Sequence, residues 1–133
     1  MNYSTPKTKV FISFDFDHDE DLKILFVGQA KHADTPFEIT DVSVKQELLG
    51  DWKAKALQKI RNAEQIVVIC GEHTHTASGV SAEIKMAQEE KKPYFLLQGR
   101  RSKNCTKPTA AKTEDKMYNW TWENVSTLLE GGR

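Results

Sequence analysis

The stretch that decides the fold is residues 66–87, which begins with the apolar run Ile66-Val-Val-Ile-Cys70. A polar loop, Gly71-Glu-His-Thr-His-Thr-Ala-Ser-Gly79, follows this run, and an amphipathic segment, Val80-Ser-Ala-Glu-Ile-Lys-Met-Ala87, follows the loop. A continuous β-branched run is typical of a strand that is buried on both faces of a sheet. Open α/β sheets bind ligands at the carboxyl ends of such strands. We therefore predict that this loop and the start of the next helix form the functional edge of the protein.

Strands and helices alternate along the rest of the chain. Apolar patterning predicts strands at residues 9–16, 37–42, 65–70 and 94–97, and a short fifth strand within residues 119–122. Helical spacing predicts buried helix faces made by Leu22, Leu25, Phe26 and Gln29, by Trp52, Ala56, Ile60 and Ala63, by Val80, Ile84 and Ala87, and by Trp122, Val125, Leu128 and Leu129. Asp17 and Glu20 have the spacing of a capping box before the first helix.

This alternation predicts an α/β fold of the flavodoxin-like class. Such a fold is a three-layer sandwich around a central parallel sheet, here of four to five strands, with right-handed crossovers. The natural strand order places the first strand beside the third. We assign residues 9–133 to a single domain and residues 1–8 to a flexible N-terminal lead-in.

Composition narrows the class of protein. The chain has 19 basic and 19 acidic residues, so it lacks the charge excess of a protein that binds nucleic acid or a membrane surface. Cys70 ends an apolar run and Cys105 lies in a polar one, so the two cysteines do not suggest a disulfide framework. We expect no nucleic-acid partner, no membrane partner and a cytoplasmic location. The connection at residues 99–116 is unusually long, which predicts a functional or poorly ordered loop.

Polar residues follow the predicted strands at the edge where the carboxyl ends of those strands meet. In the flavodoxin-like order, residues after the first and third strands face each other across a switch point. We predict one lip made by Asp15, Asp17 and His18 and another made by His73, His75 and Glu83, with Asp41 and Ser43 nearby.

Several of these residues have more than one interpretation. Glu83 lies at the edge of an apolar helix stripe, so its carboxylate can point into the crevice or can be an ordinary helix glutamate near a positive helix terminus. His73 and His75 are better suited to hydrogen bonding with a ligand or solvent than to metal binding, and we expect no metal site. Asp15 and Asp17 resemble the acidic pair of a phosphoryl receiver, but Cys70 stands where a receiver needs an aspartate.

The chain resembles the bacterial TIR-like proteins, the family that supplies the TIR component of Thoeris anti-phage defence. The resemblance covers about residues 9–130 and rests on the order of three motifs: Val10-Phe-Ile-Ser-Phe-Asp-Phe-Asp17, Ile66-Val-Val-Ile-Cys-Gly-Glu-His-Thr-His75 and Ser78-Gly-Val-Ser-Ala-Glu83. The spacing from Ser78 to Glu83 is similar to the serine-to-glutamate spacing of the TIR catalytic helix. The later buried strand and Trp120-Thr-Trp122 are similar to the C-terminal pattern of the family.

The resemblance implies an enzyme that cleaves NAD at the nicotinamide–ribose bond and makes an ADP-ribose-derived signalling nucleotide. It would act as an NAD glycohydrolase or ADP-ribosyl cyclase, with NAD as substrate and no cofactor. Glu83 matches the catalytic glutamate, and we expect substrate binding by Phe14, Asp15, Asp17, Ser43, His73, His75 and Ser78. The resemblance also implies self-association through TIR-type surfaces and a separate effector that responds to the nucleotide.

The sequence departs from the family pattern in one place. Val80 and Ser81 stand where many TIR domains have a tryptophan-cysteine pair, so the packing that orients the glutamate is expected to differ. Two alternative functions stay open. One is a non-catalytic TIR-type interaction or scaffold module, and the other is an enzyme like the nucleoside deoxyribosyltransferases, which use a similar fold and a glutamate.

Overall fold

Strands rich in β-branched and aromatic residues form the centre of the molecule. The computed structural model describes residues 8–31, 35, 37–43 and 51–130. Within these residues the sheet has five parallel strands, which are β1 (Thr8–Ser13), β2 (Phe37–Val42), β3 (Gln65–Cys70), β4 (Tyr94–Gln98) and β5 (Met117–Asn119). Their order across the sheet is β2-β1-β3-β4-β5. This order confirms the predicted flavodoxin-like α/β fold, with the first strand beside the third.

Helices cover both faces of the sheet. The helices of the described residues are α1 (Glu20–Ala30), α2 (Trp52–Asn62), α3 (Ser78–Glu89) and α4 (Trp122–Leu129), and a single 3-10 turn, Thr74–Thr76, lies between β3 and α3. Every residue of β3 is buried, and successive residues face opposite layers. Val67 and Ile69 pack with residues of α1 and α4, whereas Ile66 and Val68 pack with residues of α2 and α3.

Helix α2 and strand β2 agree with the sequence prediction. The apolar stripe Trp52, Ala56, Ile60 and Ala63 is buried, as its four-residue spacing predicts. Strand β2 has the predicted bounds, Phe37–Val42. The lead-in predicted at residues 1–8 lies outside the described residues except for Thr8, which is the first residue of β1.

The region after β1 differs from its prediction. Strand β1 ends at Ser13 instead of continuing to residue 16, because the chain leaves the sheet and the Phe14 N–H donates to Ser43 Oγ at 3.2 Å. The predicted capping box is wrong, since α1 starts after Asp19 with no side-chain cap. The Asp19 carboxylate instead accepts a hydrogen bond from Arg100 at 3.1 Å.

Three further expectations near the surface are corrected. Leu25 was expected on the buried face of α1, but it is 62% exposed and lines an open groove beside Gln29 and Trp120. The buried residues of α1 are Leu22 and Phe26, which lie four residues apart on one face of the helix. The short strand β5 is Met117–Asn119 and overlaps the predicted span, residues 119–122, only at Asn119. Trp122, which was expected on the buried face of α4, is 38% exposed.

The long connection at residues 99–116 is an ordered loop that packs on the loop between β3 and α3. The Thr106 N–H donates to the Gly71 carbonyl at 2.9 Å, and Thr106 Oγ1 accepts the His75 N–H at 3.0 Å. Thr109 Oγ1 donates to the His75 carbonyl at 2.8 Å. The connection therefore holds the β3–α3 loop in place.

We expect Gly99→Ala to destabilise the protein. A Cβ at Gly99 would lie 2.6 Å from Leu22 Cδ1 and 2.9 Å from the Cys70 carbonyl oxygen, so core and backbone atoms must shift. Overpacking of this kind costs about 1–3 kcal/mol, which urea unfolding measures. The matched control is Gly28→Ala in α1, where a Cβ meets no atom within 4 Å. That change should stabilise the protein by about 0.5–1 kcal/mol, and equal midpoints for both variants would contradict the prediction.

Candidate functional site

A cleft opens at the carboxyl edge of the sheet, where the exits of β1, β2 and β3 meet α2 and α3. It has a volume of about 250 Å³. Its walls come from four separate parts of the described chain: Phe14, Asp15, Phe16, Asp17, His18, Ser43, Trp52, Thr76, Ala77, Ser78, Gly79, Val80 and Glu83. The cleft therefore lies at the switch point of the strand order, where open α/β sheets bind their ligands.

Glu83 lies at the base of this cleft. It is in the second turn of α3 and is only 2% exposed. Ser13 Oγ, from the last residue of β1, donates to Glu83 Oε1 at 2.7 Å, and Ser43 Oγ, which follows β2, donates to the same oxygen at 2.6 Å. Within the described residues no donor is bonded to Oε2. The two serines thus hold one carboxylate oxygen of Glu83 and leave the other without a donor from the described residues.

Burial changes the acidity of this carboxyl group. Desolvation raises the pKa of Glu83 to about 7, against the lowering effects of the Ser43 and Ser13 hydrogen bonds and the Lys59 charge. An ordinary helix glutamate near a helix terminus would be exposed and hydrated, whereas this one is enclosed. A carboxyl group whose pKa is raised by burial inside a cleft is a candidate functional residue.

The opposite lip contains a buried carboxylate paired with a histidine. Asp15 Oδ1 accepts the Asp17 N–H at 3.1 Å, and Asp15 Oδ2 lies 2.7 Å from His18 Nδ1. The His18 ring stacks on the His73 ring with a centroid distance of 4.3 Å. Asp15 and His18 therefore form a pre-oriented pair beside the cleft.

Most of the residues predicted for the site come together in the cleft. Those that line it are Phe14, Asp15, Asp17, Ser43, Ser78 and Glu83. His73 and His75 do not line the cleft. His73 lies behind His18, and His75 Nδ1 lies 2.9 Å from Thr106 Oγ1, so His75 connects the β3–α3 loop to the long loop. The structure describes every residue of the long loop at 99–116, and no residue of this loop lines the cleft.

Sequence reasoning did not assign two of the residues around Glu83 to the site. Ser13 is the polar residue that ends β1 directly after the apolar run Val10-Phe-Ile12, which is the one signal that could have identified it. Trp52 was expected in the core, and it is buried, but it also lines the cleft and a cavity of about 40 Å³ beside Glu83. Its buried Nε1–H has no hydrogen-bond partner in the described part of the chain. No local pattern distinguishes such a tryptophan from an ordinary core residue.

No helix among the described residues combines the length and apolar character needed to cross a membrane.

Comparisons with known proteins identify the family. No curated protein matches the chain. A family model described as the TIR-like domain of the Thoeris protein ThsB matches residues 11–104, which span Ser13, Ser43 and Glu83 and most of the chain. The chain therefore belongs to the family of TIR-like domains of Thoeris ThsB, which suggests a role in anti-phage defence.

Proposed function

We propose that the protein cleaves NAD at the nicotinamide–ribose bond and makes an ADP-ribose-derived signalling nucleotide in anti-phage defence. The observation that carries this proposal is the Glu83 carboxylate, enclosed at the base of a cleft and oriented by Ser13 and Ser43. Family membership supports the same activity, because the serine-to-glutamate spacing resembles that of catalytic TIR helices.

The chemistry of NAD cleavage needs such a carboxylate. Nicotinamide leaves with the electron pair of the C–N bond and becomes neutral, so its departure requires no strong general acid. The ribose that remains carries positive charge in an oxocarbenium-like transition state. Glu83 Oε2 can stabilise that charge, and the burial of Glu83, which is 2% exposed, strengthens such electrostatic stabilisation. Because Oε1 is held by two serines, Oε2 has a defined direction.

The size and walls of the cleft suit one end of the dinucleotide. A volume of about 250 Å³ is slightly below the roughly 300–1,000 Å³ typical of small-molecule pockets. The nicotinamide and its ribose are the part that must reach Glu83, and the adenosine half would extend beyond the cleft. Phe14, Phe16 and Trp52 give the cleft aromatic surface for a flat pyridine ring.

The test of this proposal is chromatography of NAD after incubation with the purified protein, at low and high protein concentration to allow for self-association. We expect nicotinamide to appear together with ADP-ribose or a cyclised product that activates a separate effector. Deoxynucleosides in a parallel incubation should remain unchanged. Calorimetry that detects no NAD binding, combined with stable capture of a protein partner, would contradict the proposal and would favour a TIR-type scaffold.

A further inference from the structure

The Asp15–His18 pair is the second arrangement of functional groups in the cleft, and Glu83 chemistry does not explain it. Both residues line the cleft. The Asp15 side chain is only 8% exposed, whereas the His18 side chain is 47% exposed. A buried carboxylate thus supports an imidazole that solvent and a bound substrate can reach.

The hydrogen bonds around the pair define the orientation of the ring. Asp15 Oδ1 accepts the Asp17 N–H, and Asp15 Oδ2 lies 2.7 Å from His18 Nδ1. Because an ionised carboxylate only accepts hydrogen bonds, its partner Nδ1 carries the proton, and the neutral ring then has its lone pair on Nε2.

Two contacts outside the pair restrict the histidine further. Its ring stacks on the His73 ring at 4.3 Å, and its carbonyl oxygen accepts a hydrogen bond from Arg100 Nη2 at 3.1 Å. Arg100 also bonds Asp19 and Asp21 at the start of α1, which ties this segment to the exit of β4. The histidine is therefore held from its backbone, its Nδ1 atom and one ring face.

We propose that the Asp15–His18 pair is the general base that activates the oxygen nucleophile of the reaction, an inference that rests on the proposed NAD cleavage. The C–N bond to nicotinamide breaks, and its electron pair goes to the pyridine nitrogen. A bond forms between the ribosyl carbon and the oxygen of water or of a hydroxyl group. The proton of that oxygen moves to His18 Nε2 and then to solvent, while Asp15 stabilises the imidazolium.

Glu83 and His18 have separate roles because both oxygens of the Glu83 carboxylate already have a function. Glu83 Oε1 already accepts two hydrogen bonds, and Oε2 is the atom assigned to the ribosyl cation. A carboxylate that faces the cation cannot also give up its charge to an incoming proton without losing that stabilisation. A separate acceptor in the same cleft resolves the conflict, and His18 is the imidazole among the described lining residues.

The experiment compares two reactions of the same ribosyl group, attack by water and attack by 3-acetylpyridine. Water must lose a proton when it attacks, but the nitrogen of 3-acetylpyridine attacks with a free lone pair and loses none. We expect His18→Ala to reduce hydrolysis or cyclisation of NAD by about 10²-fold or more, while exchange of nicotinamide for 3-acetylpyridine changes by less than about threefold. Asp15→Asn should reduce hydrolysis in the same selective way, and the double variant should be no worse than His18→Ala, since the two residues act as a unit.

The outcomes separate this inference from the function on which it rests. His18→Gln serves as a second variant if His18→Ala does not fold, as judged by circular dichroism. Equal losses of hydrolysis and exchange, or unchanged hydrolysis, would overturn the general-base assignment and leave the NAD activity in place. Wild-type protein that neither releases nor exchanges nicotinamide would overturn the proposed function and this inference with it.

Discussion

Glu83→Gln is expected to abolish nicotinamide release from NAD while the protein stays folded. Glutamine has nearly the same shape as glutamate, and its carbonyl oxygen can still accept the hydrogen bonds of Ser13 and Ser43. The amide lacks the negative charge that stabilises the ribosyl cation. Loss of one such electrostatic contact reduces a rate by about 10²–10³-fold or more, and chromatographic measurement of nicotinamide gives the rate directly.

The same helix provides a matched control for this prediction. Glu89 lies in α3, is exposed, and does not line the cleft among the described residues. Glu89→Gln makes the same chemical change and should retain wild-type nicotinamide release. Full activity in Glu83→Gln would remove Glu83 from the reaction, and equal losses in both variants would indicate damage to the helix rather than loss of a catalytic charge.

The parts of the fold that sequence predicted are those where local pattern and burial agree. The β-branched run of β3 is buried at every position, and the four-residue stripe of α2 is buried as its period requires. The start of α1 was mispredicted because its decisive contact is not local. Asp19 is paired with Arg100, which lies 81 residues further along the chain, so the short-range capping pattern could not reveal it.

The site was predictable only in part, for the same reason. Glu83 was proposed from the resemblance of the Ser78-to-Glu83 spacing to the TIR catalytic helix, whereas its position on the helix face alone left an ordinary helix glutamate as an alternative. The two serines that orient its carboxylate are 70 and 40 residues away, and only the folded sheet brings them together. His75 was predicted on a lip of the cleft, but it lies outside the cleft lining and bonds Thr106 of the long loop, whose docking no periodicity predicts.

The position of Glu83 has an energetic consequence that is separate from catalysis. A carboxylate at the base of a cleft loses hydration, and the two serine hydrogen bonds do not fully offset that loss. The folded protein therefore keeps a group whose ionised form opposes folding. Functional sites commonly contain such groups, because the same desolvation strengthens their interaction with a transition state.

We expect this cost to appear as a pH-dependent stability difference between the wild-type protein and Glu83→Gln. The pKa of Glu83 is about 7 in the folded protein, above the ordinary value of 4.5 that applies to the unfolded chain. Between these pH values the folded state retains a proton that the unfolded state has lost, so the wild-type free energy of unfolding falls as pH rises. Relative to wild type, Glu83→Gln should gain about 3 kcal/mol between about pH 4.5 and pH 8.

Urea unfolding of both proteins across this pH range measures the difference, and all other titrating groups cancel because both proteins contain them. Glu89→Gln makes the same chemical change at an exposed position of α3 and is measured beside Glu83→Gln as the control for the substitution itself. A difference between wild type and Glu83→Gln that does not vary with pH would mean that Glu83 is not desolvated in solution. Because burial underlies both the acidity of Glu83 and its proposed electrostatic role, that result would weaken the catalytic assignment even if nicotinamide release were lost in the variant.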